Sequence, residues 1–516
     1  MPGTSGFKLK RKEDWKTMEK ALKKYQETNE KLRALGLAMF LNGWDTATEA
    51  PRGSMAHRSG QIGTLSEMTY RLSTDPDYEA AIETLFQHRE ELDDILHHEI
   101  ELARKRLVKM KKVPIEEYVA YNRLMAEIYP IYVEAKQTSN YALYKPHLLK
   151  VIEFQKKYLG WEKTPELQGY DILLDEYEPE YGTKEYDAFF KTLKERLVPF
   201  AKAVSRKKLK YNAAFTKKTF PKEGQREFAK YLQTVMCFDP DRTVIKESEH
   251  PFTSGNGCTD VRITNHYHEN DLTSAIFSAI HEMGHGLYEL QIDPALDETN
   301  SGGGVSMAMH ESQSRLMENM IGRSEVFWRT HLPKLQELFP KALGKTTLDD
   351  FVKHVNRVSR GFIRTEADEL TYSIHVMIRY EIEKGILSGR VDVEDLPSVW
   401  NKKYKQYLGI VVPDDKRGIL QDVHWSQGSF GYFPTYSLGS AYAAQIYHAM
   451  AKDVDIDAAI ASGTIRPIAD WLKEHIHRYG STKYPKEILR LATGEDFNPN
   501  YYVDYLIQKY SKIYGL

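Results

Sequence analysis

Two cysteines, Cys237 and Cys258, are all that the 516 residues contain. Usage this sparse excludes a disulfide scaffold and a structural zinc built from thiolates, and it points to a reducing compartment, so the cytoplasm is the expected location. Long apolar runs are missing too. Nothing approaches the roughly 20 residues of a membrane span, and residues 1–15 are polar and basic with no apolar signal core, so a soluble, unsecreted chain is expected. Nor is there an excess of one charge: Lys+Arg 71 against Asp+Glu 73 gives a formal net charge of -2, leaving no global field for nucleic acid or an anionic membrane. Internal repeats, low-complexity tracts and interdomain linkers are absent. What remains is a globular composition rich in Tyr (33) and Phe (20), which is enough to fill a large core.

Residues 14–112 read as long amphipathic helices, with Met18, Leu22, Tyr25 and then Leu32 and Leu35 at helical spacing. Asn42-Gly43, Pro51-Arg52-Gly53 and Asp75-Pro76-Asp77 are turn signals that divide them. The basic run from Arg104 to Lys112 follows acidic residues and reads as a solvated helix face rather than a nucleic-acid patch. Residues 115–235 are again helical, except for an acid- and tyrosine-rich island at 170–179, expected to be a helix end plus a turn. Between 243 and 268, β-branched residues and glycines predict a small sheet or hairpin. Helix returns over 271–322 and from 348 onward. The expected fold is therefore mostly α, one large helical body with a deep substrate cleft and a minor β element. It forms a single domain over 1–516, in which 1–112 walls the cleft and 243–440 carries the motifs.

The sharpest signal is His281-Glu282-Met283-Gly284-His285. Helix positions four apart lie about 40° apart around the axis, so both imidazoles can meet one metal ion while Glu282 stands beside its open position. Two ordinary helix histidines with satisfied hydrogen bonds are the alternative. Asn270 or Asp271 can cap this helix, and Ile276, Phe277, Ile280, Leu287 and Leu290 give it a buried stripe. Gly284 and Gly286 each lower its intrinsic propensity by about 1 kcal/mol, which is tolerable where another backbone or a substrate comes close. A catalytic zinc takes three protein ligands. After a flexible Gly302-Gly303-Gly304, a second helix runs from His310 to near Gly322. Glu311 is the candidate third ligand and Glu318, two turns on, the rival; they share a helix face, so spacing does not choose between them.

Six ordered motifs between 250 and 425 carry a family likeness: His250-Pro251-Phe252, Asp260-Val261-Arg262-Ile263-Thr264, His281-Glu282-Met283-Gly284-His285, His310-Glu311-Ser312-Gln313, Ile363-Arg364-Thr365-Glu366-Ala367-Asp368 and Gly418-Ile419-Leu420-Gln421-Asp422-Val423-His424-Trp425. The chain resembles the thermostable metallocarboxypeptidases, the carboxypeptidase Taq-like zinc enzymes. The resemblance implies a helical fold over the whole chain, Glu311 as third ligand, release of single residues from peptide C-termini, and a homodimer. Segment 431–438 is similar to the tyrosine-bearing loop of the wider helical zinc-peptidase group.

An exopeptidase must fix a terminal carboxylate relative to the metal, and the guanidinium fork does this best. Arg262 and Arg364 are the candidates, each with a nearby acid (Asp260, Asp368) as a structural alternative. His250 and His424 can donate to peptide carbonyls or orient the metal shell, with Asp422 expected to hold His424. Tyr436, then Tyr432, is the phenol expected to stabilise the oxyanion, with simple packing as the alternative. The expected activity is that of a cytoplasmic zinc carboxypeptidase of broad specificity, in which a metal polarises the scissile carbonyl and Glu282 moves the proton from water to the leaving amine. One zinc per chain is expected, and cobalt or another divalent ion suits the same donors. Peptides with a free C-terminal carboxylate are the expected partners, with no nucleic acid and no membrane. The rivals are an oligopeptidase or dipeptidyl carboxypeptidase on the same scaffold, and a non-catalytic, metal-stabilised peptide-binding protein, which would have no need of Glu282.

Overall fold

The computed structural model describes residues 12–516; the polar stretch that opens the chain lies, as far as residue 11, outside the described residues. Helices α1 (Lys12–Thr48), α2 (Met55–Ser73), α3 (Pro76–Gln87) and α4 (Asp94–Lys112) come first. The start of α3 follows from Asp75-Pro76: the Asp75 carboxylate accepts from Tyr78 N at 2.9 Å and proline takes the first helical position, where no N–H is needed. Asn42-Gly43, in contrast, is no turn, because α1 runs straight through it. The cost of about 1 kcal/mol for a helical glycine is outweighed by tertiary contact one residue on. Trp44 is buried, packs on Phe252 at 5.8 Å and, with Phe40, faces the Arg262 guanidinium.

Met18, Tyr25, Tyr78, Ile82, Leu85, Ile100 and Leu107 give these helices a small core of their own, separate from the main one. Polar contacts tie them to the body: Asn300 N donates to Glu99 at 2.8 Å, and Lys105 and Lys109 reach Asp175 and Glu176 at 2.8 and 2.9 Å. Within the same run Arg104 pairs with Glu83, Lys111 with Glu79 and Lys112 with Glu162.

The island at 170–179 is a helix in its own right, Tyr170–Tyr177, entered from Gly169 at φ +57°. A bend and turn follow at 178–180, so a helix end plus a turn is what the island contains, with most of the helix buried. Ile172, Leu173 and Leu174 are buried, Asp171 accepts from Thr183 N at 2.7 Å, and Tyr170 OH donates to Glu383 across the core.

The sheet expected at 243–268 has three strands, β1 (Thr243–Glu247), β2 (Thr253–Gly255) and β3 (Val261–Asn265), in the order β1-β3-β2. β3 runs parallel to β1 (Thr243 opposite Val261) and antiparallel to β2 (Thr253 opposite Ile263). Val261 and Ile263 turn inward and pack with the motif helix, Leu272–Leu290, in the main core. The next helix, Met307–Arg315, here the glutamate helix, continues as a π-turn over Leu316–Ile321 up to Gly322. Two nearly buried helices, Glu369–Leu387 and Phe433–Met450, complete the centre, and Asn500–Tyr514 closes the chain. Lys509 on that last helix donates to the Asn319 carbonyl inside the π-turn at 3.0 Å and to Glu369 at 2.6 Å. The architecture is mostly α with a minor β element. No helix among the described residues is long and apolar enough to cross a membrane.

Candidate active site

The motif helix begins where the Asp271 carboxylate accepts from Ser274 N at 3.1 Å, and its apolar stripe, Ile276, Ile280, Met283 and Leu287, is buried. This leaves His281 and His285 on one half-buried edge, their rings 4.9 Å apart. Gly284 explains how the glutamate helix reaches that edge. A Cβ there would stand 2.7 Å from Ser314 Cα and 2.9 Å from the Gln313 carbonyl, so backbone meets backbone at this point. Overpacking of this kind costs about 1–3 kcal/mol. Gly284→Ala is accordingly expected to lower the melting temperature of the apoprotein, and unchanged thermal melting would contradict the close approach.

One donor atom from each of His281, His285 and Glu311 falls within 4.8 Å of the other two. Glu311 Oε2 lies 3.6 Å from His281 Nε2 and 3.4 Å from His285 Nε2. The remaining atoms of these groups are engaged elsewhere. His281 Nδ1 is 2.9 Å from Glu318 Oε2, His285 Nδ1 is 2.7 Å from His310 Nδ1, and Glu311 Oε1 accepts from Arg315 Nε at 2.6 Å. Two imidazoles and a carboxylate, each turned inward by a partner behind it, form a donor set that suits a catalytic divalent metal. The two acids that spacing could not separate thus meet opposite nitrogens of one ring. Glu318 reaches His281 from the π-turn, where Arg315 and Arg323 donate to it at 3.2 and 2.9 Å.

Charge follows this arrangement. Burial pushes His285 down to about 4 despite the Glu311 carboxylate, so it is neutral near pH 7. Burial acts on His281 in the same direction, but Glu311 and Glu318 outweigh it and its pKa is raised. Glu311 is buried too, yet the Arg315 guanidinium and His281 hold it well below the usual carboxylate range. Glu282 is raised by burial, against the pull of His281. Thr253 Oγ1 donates to Glu282 Oε2 at 2.5 Å and to the Glu282 carbonyl at 3.1 Å, which fixes the carboxylate and leaves Oε1 without a partner among the described residues.

A second cluster gathers where Phe433–Met450 begins. His424 Nε2 lies 3.2 Å from Tyr436 OH, and the Tyr432 and Tyr436 rings meet edge-on at 5.0 Å. Arg364 lies over the Tyr436 ring at 4.8 Å. Its Nε and Nη2 donate to Asp422 Oδ1 at 3.0 and 2.9 Å, and its Nη1 to Tyr372 OH at 3.2 Å. The other Asp422 oxygen accepts from the fully buried Arg379. Asp422 therefore does not hold His424, as the sequence suggested. Two guanidinium groups claim it, and the acid paired with Arg364 is Asp422 rather than Asp368. Burial, helped by Arg364, lowers His424 to about 3, and burial raises Tyr436 well above its ordinary value, so both are neutral.

Arg262 sits apart from this cluster. It is bidentate to Asp260 at 2.7 Å through both Nε and Nη2 and is sandwiched with Phe40 and Trp44. His250 is exposed on the β1–β2 connection, and its imidazole has no hydrogen bond among the described residues. The sequence reading missed Thr253, His310, Arg315 and Arg379. Arg315 carried a signal, one helical turn after Glu311; Thr253 and His310 are separated from their partners by 29 and 25 residues, and only the fold joins them.

Comparison with known proteins agrees with this geometry. The family model for carboxypeptidase Taq (M32) metallopeptidases matches residues 21–510. Carboxypeptidase 1 of Bacillus subtilis (strain 168) is 43% identical over 483 residues, 93% of this chain and 96% of that protein. Thermostable carboxypeptidase 1 of Pyrococcus furiosus is 34% identical, covering 96% of this chain and 98% of that protein. Among solved structures, the M32 carboxypeptidase from Deinococcus radiodurans R1 matches with a TM-score of 0.92 at 32% identity, covering 96% of this chain and 100% of that one. Trypanosoma cruzi metallocarboxypeptidase 1 matches with a TM-score of 0.90 at 31% identity, covering 96% of this chain and 99% of that one. A model match over almost the whole chain, relatives at this identity, and a donor triad set in a helical body make the chain a member of the carboxypeptidase Taq (M32) metallopeptidase family.

Proposed function

We propose that this chain is a zinc carboxypeptidase that releases single amino acids from peptides with a free C-terminal carboxylate. The observation that carries the proposal is the convergence of His281, His285 and Glu311 with Glu282 beside them. Zinc, when bound by those three residues, supplies the Lewis acidity that activates a carbonyl and water, and cobalt or another divalent ion suits the same donors. Glu282, held by Thr253 at Oε2, takes the proton of the attacking water at Oε1 and delivers it to the leaving amine.

Tyr436 donates to the developing oxyanion, with Tyr432 packed edge-on behind it. Its hydrogen bond with His424 supports this choice. His424 Nδ1 is buried with no partner, and a stranded N–H costs more than a bare lone pair. The proton of this neutral ring therefore sits on Nε2 and is donated to the phenol oxygen, so the phenol hydrogen is not taken up by His424. His250, exposed at the β1–β2 connection, is proposed to contact the peptide further from the metal.

Of the two candidate arginines, Arg364 is the better carboxylate receptor. Arg262 is cancelled one for one by Asp260, whereas Asp422 is shared by Arg364 and Arg379, and one positive charge is left over beneath Tyr436. A cytoplasmic location is part of the proposal, supported by the free thiols Cys237 and Cys258. A homodimer is also part of it, and sedimentation equilibrium tests it.

The deciding experiment is a timed peptide digest read by mass spectrometry, with metal quantification, on free-acid and C-terminally amidated peptides. Single-residue steps and strong discrimination against the amide are expected. A charge-assisted hydrogen bond is worth about 1.5–3 kcal/mol, so Arg364→Met should lose about ten- to a hundredfold in kcat/KM on the free acid and far less on the amide. Because the comparison is made between two substrates, general damage to the fold cancels. Equal cleavage of both by the wild type would replace the proposal with an oligopeptidase or dipeptidyl carboxypeptidase.

A further inference from the structure

We infer that His310 is a positioning residue for the metal centre: it keeps the proton of His285 on Nδ1, so that the Nε2 lone pair faces the other donors. The inference rests on the ligand set proposed above. The contacts, taken with that ligand set, assign the hydrogens along the chain. Glu289 Oε1 lies 2.7 Å from His310 Nε2, and an ionised carboxylate can only accept, so His310 Nε2 carries hydrogen. A metal-binding His285 Nε2 carries no hydrogen, so the ring hydrogen of His285 sits on Nδ1. Only one hydrogen fits in the 2.7 Å between His285 Nδ1 and His310 Nδ1, so His310 Nδ1 accepts it, and His285 Nε2, 3.4 Å from Glu311 Oε2, keeps its lone pair.

The support for His310 is built in. Gly304 N donates to the same Glu289 oxygen at 3.1 Å. A Cβ at Gly304 would lie 2.6 Å from His310 Cδ2 and 3.0 Å from Tyr288 Cε1, so the imidazole fits only because this residue has no side chain. The run Gly302-Gly303-Gly304, which looks like a flexible hinge in the sequence, ends docked against the His310 ring. The two histidines of the triad are also supported unequally. A carboxylate, Glu318, stands behind His281, and an imidazole stands behind His285. A carboxylate acceptor raises ligand basicity more than an imidazole does, so His285 is the weaker donor, and the centre gains an oriented ligand without a further negative charge touching it.

The test measures zinc affinity of the full-length protein by chelator competition, with thermal melting of each apoprotein as the folding control. His310→Leu removes the acceptor and should weaken zinc binding by about 10- to 100-fold. His310→Asn places an acceptor oxygen where Nδ1 stood and should recover most of that loss. Glu289→Leu keeps the ring but frees its proton to move, and should fall between the two. His285→Ala is the reference and should lose stoichiometric zinc. If His285→Ala binds zinc like the wild type, the ligand set itself is wrong. If His285→Ala is metal-free while His310→Leu binds zinc as tightly as the wild type, or Asn recovers nothing that Leu lost, the role assigned to His310 is overturned and the ligand set stands.

Discussion

Glu282→Gln is expected to keep the fold and the metal while turnover falls by about 10²–10⁴-fold, the range that a positioned general base contributes. The amide has the shape of the carboxylate and can still accept from Thr253 Oγ1 through its carbonyl oxygen, so nothing in the surrounding packing is asked to move. What it offers at the other position is an NH₂ group, which cannot accept a proton from water. The measurement is kcat on a free-acid peptide at known metal occupancy. Near-normal turnover in a fully loaded variant would remove Glu282 from the chemistry.

The second large effect separates the two acids that share His281. Glu311→Ala deletes a donor and leaves the Arg315 guanidinium facing the two imidazoles, so metal binding should be lost. Glu318→Ala deletes only the group behind His281 Nδ1, and affinity should drop by about 10- to 100-fold while saturating metal still gives full occupancy. Glu311→Gln, which preserves volume, separates metal loss from folding damage. Elemental analysis after equilibration reads the result. Stoichiometric metal in Glu311→Ala together with none in Glu318→Ala would exchange the two roles.

Why the sequence could not decide between these acids is instructive. A seven-residue spacing on a regular helix puts both on one face, and nothing local announces that the helix widens at Leu316–Ile321. His281 and His285 were legible because their relation is helical and lies within a single turn. The small sheet and the overall helical body were legible from residue type and period. Asn42-Gly43 was misread because its local preference is real but small, and Trp44, anchored on Phe252, decides the matter from 208 positions away. Asp422 was misread because nearness in sequence favoured His424, whereas Arg364 and Arg379 arrive from another part of the chain. The local pattern therefore names the residues of the donor triad, and the residues that orient them come from elsewhere in the fold.

The contact between Lys509 and the Asn319 carbonyl bears on the order of assembly. Lys509 lies 190 residues beyond Asn319, and the carbonyl it satisfies is inside the turn that presents Glu318 to His281. Pairings this distant along the chain form late, since the loop between them must close before the contact returns anything. During synthesis the histidines are made well before the helix that braces their neighbour. A ribosome-bound chain that has passed His281, His285 and Glu311 but not yet released residue 509 holds the letters of the centre without its frame. The bracing of the turn that carries Glu318 is therefore expected among the later contacts to form, after the local helices that carry His281, His285 and Glu311.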